Sequence, residues 1–144
     1  MTPSPTQVPL LNRYDDAVGY LFGHTDYERM QRVRLHGDTL DLSRMERLCE
    51  ELGRPQDNFA SVHVAGTVGK GSVAAMTAFA LAGAGKRVGL YTSPHLLDLR
   101  ERIQVVSRGP AGVAAELVDK DRFTESVGAM ARVLDGAPDT AVAL

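Results

Sequence analysis

A glycine-rich segment, residues 66–71, constrains the fold of this chain more than any other feature of its sequence. The run 61–65 before it favours a β-strand, the alanine-rich run 72–84 after it favours a helix, and 87–91 favours a second strand. Two strands joined by one helix form a βαβ unit, in which the strands are parallel and the crossover is right-handed. We therefore predict an α/β fold in which helices flank a parallel sheet, with small helix residues close to the sheet.

Apolar spacing and terminating residues predict the remaining elements. Helices are expected at 14–22, 42–52 and 121–134, and a strand at 103–106. Asp41 or Ser43 can cap the start of the second helix, and Ser43 with Glu46 has the spacing of a capping box. Gly53 followed by Pro55 is typical of a helix end, because glycine takes a left-handed conformation and proline cannot continue the helix.

Composition limits the classes of function open to the chain. A formal net charge of −2 gives no field that would attract nucleic acid or an anionic membrane. No apolar run approaches the roughly 18 residues that a membrane span needs. Cys49 is the single cysteine, which fits a reducing compartment, and we expect it to be a small buried residue of its helix. Residues 1–13 resemble a flexible leader rather than a signal peptide, so we expect a cytoplasmic protein with small-molecule partners.

The glycine-rich segment also predicts an anion site. A turn between a strand end and a helix start directs backbone N–H groups to one point, and the helix dipole adds positive charge there. Lys70 could reach terminal phosphate oxygens, and the Ser72 hydroxyl could hold a magnesium ion. The spacing departs from the generic P-loop, because two residues separate Gly66 from Gly69 and Gly71 intervenes between Lys70 and Ser72. An α/β turn that binds nothing is the alternative.

Two linked motifs resemble the folylpolyglutamate synthase/dihydrofolate synthase family of the Mur ligase superfamily. The first is V-A-G-T-V-G-K-G-S at 64–72, where the family has a pattern close to V-A-G-T-N-G-K-G-S. The second joins V-G-L-Y-T-S-P-H-L at 88–96 to R-E-R-I at 100–103. The Lys-Gly-Ser ending that departs from the generic P-loop is this family's own variant. The resemblance covers roughly residues 14–108.

This resemblance implies a P-loop-type, Mur ligase-like ATP-binding domain, of which residues 14–144 would be the amino-terminal part, with the carboxyl-terminal domain absent. It implies ATP and Mg²⁺ as cofactors, Lys70 as the catalytic residue, and Ser93 with Ser72 as metal ligands. The implied nucleotide-binding residues are Gly66, Thr67, Val68, Gly69, Lys70, Gly71 and Ser72. The implied substrate-binding residues are Leu40, Asp41 and Leu42. Val68 stands where the family usually has asparagine, which implies the loss of one polar contact.

The implied reaction is the ATP-dependent addition of L-glutamate to dihydropteroate or folate through an acyl phosphate, by a monomeric enzyme. A Mur-type amino-acid ligase and a nucleotide-binding module without ligase activity are the alternatives. This chain alone is expected to lack catalysis. His63 is expected in the core and His95 to shape its loop. The charged residues 100–102 are interpreted mainly as a solvated face, with a secondary place near the active site.

Overall fold

The computed structural model describes residues 11–23 and 42–136. The chain divides into two compact units, a helical unit of Met1–Ala60 with Asp121–Leu144 and a sheet unit of Ser61–Lys120. Leu40 and Asp41, two of the three residues predicted to contact the substrate, lie outside the described residues.

Three strands and one helix build the sheet unit. Strands β1 (Val88–Tyr91), β2 (Ile103–Gly109) and β3 (Gly112–Leu117) form an antiparallel sheet in the order β1–β2–β3. Helix α3 (Lys70–Gly83) packs against this sheet. The predicted helix at 72–84 and the predicted strands at 87–91 and 103–106 are confirmed. The α/β class is confirmed with them.

Small side chains let α3 lie close to the sheet, as predicted. Ala74, Ala78 and Ala82 recur at intervals of four residues, so they share one face of the helix. This face meets Leu90 of β1 and the fully buried Val106 of β2. Burial of these apolar side chains holds the start of α3 at a fixed place beside the sheet.

The predicted parallel strand pairing is not found among the described residues. Residues 61–66 form neither helix nor strand, and β1 pairs with β2 in antiparallel fashion. A strand gains stability only from neighbouring strands and a buried face, and most of 61–65 is exposed here. His63 is exposed as well, so its interpretation as a core histidine was wrong.

The three other predicted helices are found as α1 (Tyr14–Gly23), α2 (Ser43–Glu51) and α4 (Lys120–Gly136), and they belong to the helical unit, α4 from Asp121 onward. Tyr14 packs edge-on against Phe123, with ring centroids 5.3 Å apart. A further part of its core is formed by Leu48 with Leu134 and their half-buried neighbours. None of the helices in the described part of the chain is both long and apolar enough to cross a membrane.

A half-buried tyrosine of α1, Tyr20, lies near Asp135 of α4 within the helical unit. Burial, and then the neighbouring Asp135 carboxylate, raise the pKa of Tyr20 to about 12. The phenol therefore stays protonated at neutral pH and contributes no charge to the unit. A raised pKa adds stability below the ordinary pKa of about 10, and that stability is lost as the pH rises through about 12.

The end of α2 follows its sequence prediction, whereas its start does not. Gly53 has φ +79°, and its N–H donates to the Glu50 carbonyl at 2.9 Å while the Arg54 N–H donates to the Cys49 carbonyl at 2.7 Å. These two bonds satisfy carbonyls that the helix end would leave unpaired. Leu42 occupies the N-cap position without a side-chain cap bond, one residue before Ser43, while the other predicted cap, Asp41, lies outside the described residues. Cys49 is half-buried rather than buried.

Candidate nucleotide-binding site

The glycine-rich loop ends directly at the first turn of α3. Gly69 is the N-cap residue, with φ +79°, and its carbonyl accepts the Val73 N–H at 3.0 Å. Glycine adopts this left-handed conformation without the steric cost of a Cβ atom. Because Gly69 has no side-chain acceptor, it cannot cap the N–H groups of the first turn. These donors, at the positive end of the helix dipole, are chemically suited to phosphate oxygens.

Lys70 folds back over the loop rather than away from it. Its Nζ donates to the Thr67 carbonyl at a long 3.4 Å. Its Cγ lies 3.9 Å from the position that a Cβ on Gly66 would occupy, so the lysine stem passes beside that glycine. The side chain is exposed and held by one long hydrogen bond. It can therefore exchange the carbonyl for a phosphate oxygen at small cost.

Val68 lies at the tip of the loop with 89% of its surface exposed. An isopropyl group in this place gains nothing from burial and offers no hydrogen bond to a ligand. The other predicted nucleotide-binding residues are exposed too: Gly66, Thr67, Gly69, Lys70, Gly71 and Ser72. The loop therefore presents its backbone and one lysine to solvent, with an apolar side chain where a polar one could act.

Replacing Gly69 with alanine should lower the free energy of unfolding by about 1–2 kcal/mol, because alanine is strained at positive φ. No atom lies within 4 Å of the added Cβ, so the effect isolates backbone strain from crowding. Gly71→Ala is the matched control, since Gly71 is helical and equally uncrowded, and alanine there should stabilise. Urea unfolding of the three proteins measures the difference, and equal values for both variants would contradict the strained position.

The two predicted magnesium ligands both belong to the sheet unit. Ser72 lies in the first turn of α3, and Ser93 follows the end of β1 by two residues. Both residues are exposed. Hydroxyl oxygens are hard ligands of the kind that Mg²⁺ accepts together with phosphate oxygens and water. The described residues contain no cluster of three acidic, histidine or cysteine side chains that could hold a metal without such help.

The segment between β1 and β2 contains Ser93, and the Glu101 carboxylate stabilises it through hydrogen bonds. Both oxygens of Glu101 accept backbone N–H groups, from Leu96 at 2.7 Å, Leu97 at 3.0 Å and Asp98 at 2.9 Å. These bonds favour the ionised form and lower the pKa of Glu101. Since this pKa is depressed, the stabilisation is present above the ordinary pKa of 4.5 and is lost as the pH falls through the lowered value.

A capping box holds the short 3-10 helix Leu99–Arg102 at the end of this segment. The Asp98 side chain and the Glu101 side chain each accept the other residue's backbone N–H. The Arg100 guanidinium binds Asp98 at 2.7 Å and donates to the Val118 carbonyl at 3.3 Å. The Arg102 Nε donates to His95 Nδ1 at 2.8 Å. His95 thus shapes its loop, as predicted.

Residues 100–102 are therefore not the solvated face that the sequence suggested. All three are half-buried and bound to the loop before them. The available signal was the Asp-x-x-Glu spacing of Asp98 and Glu101, which is the spacing of a capping box. The network places these charged side chains beside the segment of Ser93.

Similarity to known proteins identifies the family. Over 95 residues the chain is 40% identical to a probable bifunctional folylpolyglutamate synthase/dihydropteroate synthase of Haloferax volcanii, covering 66% of this chain and 10% of that protein. Over 96 residues it is 35% identical to a dihydrofolate synthase/folylpolyglutamate synthase of Bacillus subtilis, covering 67% and 20%. A solved FPGS–AMPPCP–folate complex matches 91% of the chain with a TM-score of 0.67 and 30% identity.

The chain belongs to the folylpolyglutamate synthase/dihydrofolate synthase family. It spans only a tenth to a fifth of the length of these two curated relatives and 29% of the solved chain. No protein-family model matches it. The folylpolyglutamate synthase relationship thus confirms the lineage and the α/β class, while the roles of the individual site residues stay predictions.

Proposed function

We propose that this chain supplies the nucleotide-binding part of an ATP-dependent ligase that joins L-glutamate to dihydropteroate or a (tetrahydro)folate, forming an amide, ADP and phosphate. The observation that carries the proposal is the glycine-rich turn that opens α3 with uncapped N–H donors and Lys70 folded over it. A solved relative described as a complex with AMPPCP, an ATP analogue, and folate supports both substrate classes.

Residues 14–144 are proposed to be the amino-terminal part of the ATP-binding domain, preceded by a leader at 1–13. We further propose a monomeric, cytoplasmic protein whose partners are small molecules rather than nucleic acid or membrane. Leu40, Asp41 and Leu42 are proposed to contact the pterin-containing substrate. Leu42 is the one of these three in the described part of the chain, and its side chain is 71% exposed and so accessible to a ligand.

The proposed chemistry assigns charge stabilisation to the loop and to α3. When bound, ATP supplies the phosphoryl group that activates the acceptor carboxylate as an acyl phosphate, which the glutamate amine then attacks. The first-turn N–H groups of α3 bind and orient the phosphates through fixed dipoles. Lys70 neutralises charge on the terminal phosphate. The hydroxyls of Ser72 and Ser93 would hold Mg²⁺ beside the phosphates.

Titration calorimetry with ATP and Mg²⁺ tests the proposal. The full chain should bind Mg·ATP, and it should release no ADP when glutamate and dihydropteroate are added, because it spans a small part of its relatives. The complete enzyme should release ADP only in the presence of glutamate and a pterin-containing acceptor. Absence of any affinity for Mg·ATP would refute the proposed site.

Changing Val68 to asparagine should strengthen Mg·ATP binding by about three- to tenfold, the value of one added hydrogen bond. The side chain is 89% exposed, so the substitution costs no packing. The control is Val62→Asn, because Val62 is also an exposed valine of the sheet unit but precedes the turn. Calorimetry measures both, and an unchanged affinity for Val68→Asn would show that this side chain does not face the nucleotide.

Val68 also gives weight to a second candidate, a nucleotide-binding module that has lost ligase activity. An apolar residue at the loop tip removes a polar contact without disturbing the backbone that binds phosphate. Such a module would bind Mg·ATP as the ligase does. Glutamate-dependent ADP release by the complete protein distinguishes the two, since the module would show none.

A further inference from the structure

We propose that Glu101 is a positioning residue that fixes the backbone on which Ser93 is carried, and thereby sets how readily the nucleotide site takes up magnesium. This inference rests on the proposed function, because it concerns the metal that accompanies ATP. Glu101 itself contacts neither metal nor nucleotide in this proposal. It acts through the loop.

The carboxylate of Glu101 organises three consecutive peptide groups. Oε2 accepts the Leu96 N–H at 2.7 Å, and Oε1 accepts those of Leu97 and Asp98 at 3.0 and 2.9 Å. The side chains of Leu96 and Leu97 are almost fully exposed, at 88% and 95%, so their packing does not hold this stretch. The conformation of the stretch therefore depends on hydrogen bonds to one side chain.

Further ties connect the same turn to the other side of Ser93. The Thr92 N–H donates to the Arg102 carbonyl at 3.1 Å, and the Arg102 Nε donates to His95 Nδ1 at 2.8 Å. Ser93 thus lies between Thr92 and His95, both of which are bound to the residue that follows Glu101. The exposed Ser93 is therefore positioned by a backbone bond of Thr92 on one side and by a side-chain bond of His95 on the other.

Hydrogen bonds also connect the segment 98–102 to the end of the sheet. Arg100 binds the Asp98 carboxylate at 2.7 Å and donates to the carbonyl of Val118, the residue after β3. The Val118 N–H donates to the Ile103 carbonyl at 3.1 Å. The Asp98–Glu101 capping box therefore transmits the rigid position of the strands to the segment that carries Ser93.

Magnesium binding is sensitive to such positioning. Mg²⁺ requires near-ideal octahedral geometry. A small displacement of a ligand oxygen therefore weakens Mg²⁺ binding more than it weakens the binding of Ca²⁺, whose coordination is flexible. The phosphate-binding N–H groups belong to α3, which is held by a separate hydrophobic contact with the sheet. Loosening the Ser93 loop should thus affect the metal requirement and leave metal-free nucleotide binding unchanged.

The test is Glu101→Gln in the full chain, with Glu116→Gln as the matched control on the exposed strand β3. Glutamine cannot accept three N–H groups with both of its terminal atoms, because one of them is a donor. Hydrogen exchange at the amides of Leu96, Leu97 and Asp98 should accelerate by about tenfold or more, the effect of losing charge-assisted hydrogen bonds. The Mg²⁺ concentration for half-maximal ATP binding should rise by about fivefold, with metal-free ATP affinity unchanged.

The outcomes distinguish failure of the positioning role of Glu101 from failure of the proposed nucleotide-binding function. Unchanged exchange, or faster exchange with an unchanged magnesium requirement, overturns the positioning role while Mg·ATP binding by the parent chain upholds the proposed function. If the parent chain binds no Mg·ATP, the proposed function fails and the inference fails with it. Exchange at Val105 and Val106 in β2 reports whether the variant is folded. Should Glu101→Gln not fold, Glu101→Asp replaces it, because the shorter side chain keeps the charge but should not reach the N–H groups of Leu96, Leu97 and Asp98 together, so the magnesium requirement should rise likewise.

Discussion

Replacing Lys70 with alanine is expected to weaken Mg·ATP binding by about thirtyfold or more, the cost of losing a charge-assisted bond to phosphate. Lys70 is the single lysine of the glycine-rich loop and of α3, and its stem already lies beside Gly66. No other lysine of the sequence is close along the chain to the first turn of α3. Titration calorimetry of the parent and variant measures the effect.

The fold should survive this substitution almost unchanged. The Lys70 side chain is exposed, and its hydrogen bond to Thr67 is long, at 3.4 Å. Alanine also favours a helix at least as well as lysine, so the free energy of unfolding should change by less than about 0.5 kcal/mol.

Lys86→Ala is the matched control, because Lys86 is an exposed lysine that follows the other end of α3. It removes the same charge without touching the loop, and its Mg·ATP affinity should equal that of the parent. Equal weakening by both variants would mean that net charge, rather than a phosphate contact, governs binding. An unchanged affinity for Lys70→Ala would rule Lys70 out as a phosphate ligand.

The sequence predicted the elements whose determinants are local. Helical spacing, together with a terminator such as Gly53, located the four α-helices of the described residues. The small residues of the helix at 72–84 correctly indicated close packing on a sheet, and the structure shows that Ala74, Ala78 and Ala82 form that face. These features depend on residues within one or two turns of each other. They can therefore be predicted from the sequence without knowledge of the tertiary structure.

Strand pairing could not be predicted in this way, because it depends on contacts between residues that are distant in the sequence. The order strand, loop, helix, strand suggested a parallel unit, yet β1 is paired with β2 through Val88 and Val106. Strand β3 was not anticipated at all. Its hairpin with β2 closes between Gly109 and Gly112, and glycines flanking a two-residue turn were the available signal.

In the candidate site, too, the sequence located the residues of a local motif but not the residues whose roles depend on distant contacts. The loop residues, including Lys70 and Gly69, could be located from the motif itself, because one turn of chain contains them all. The role of Glu101 could not, since its partners depend on how residues 96–98 fold back. Charge alone suggested a solvated surface, whereas the carboxylate in fact replaces water around three peptide groups.

The substitution with the largest expected cost in stability is Phe123→Ala, in the helical unit. Phe123 is 4% exposed and packs edge-on against Tyr14 at 5.3 Å. Removing a buried phenyl ring loses its transfer free energy and leaves a cavity, which together cost about 3–5 kcal/mol. Chemical unfolding followed by far-ultraviolet circular dichroism measures the loss, with Phe123→Leu as a control that should lose less than about 1.5 kcal/mol.

The loss at Phe123 is large against the total stability of a domain of this size, about 5–15 kcal/mol, so the variant should be partly unfolded at elevated temperature. Identical unfolding midpoints for parent and Phe123→Ala would contradict the packing of α1 against α4. Phe123→Ala removes buried surface and Lys70→Ala removes exposed charge, so the first should act on the unfolding midpoint and the second on Mg·ATP affinity. A Lys70→Ala variant as unstable as Phe123→Ala would mean that the lysine supports the fold, and the nucleotide site would then need another cation.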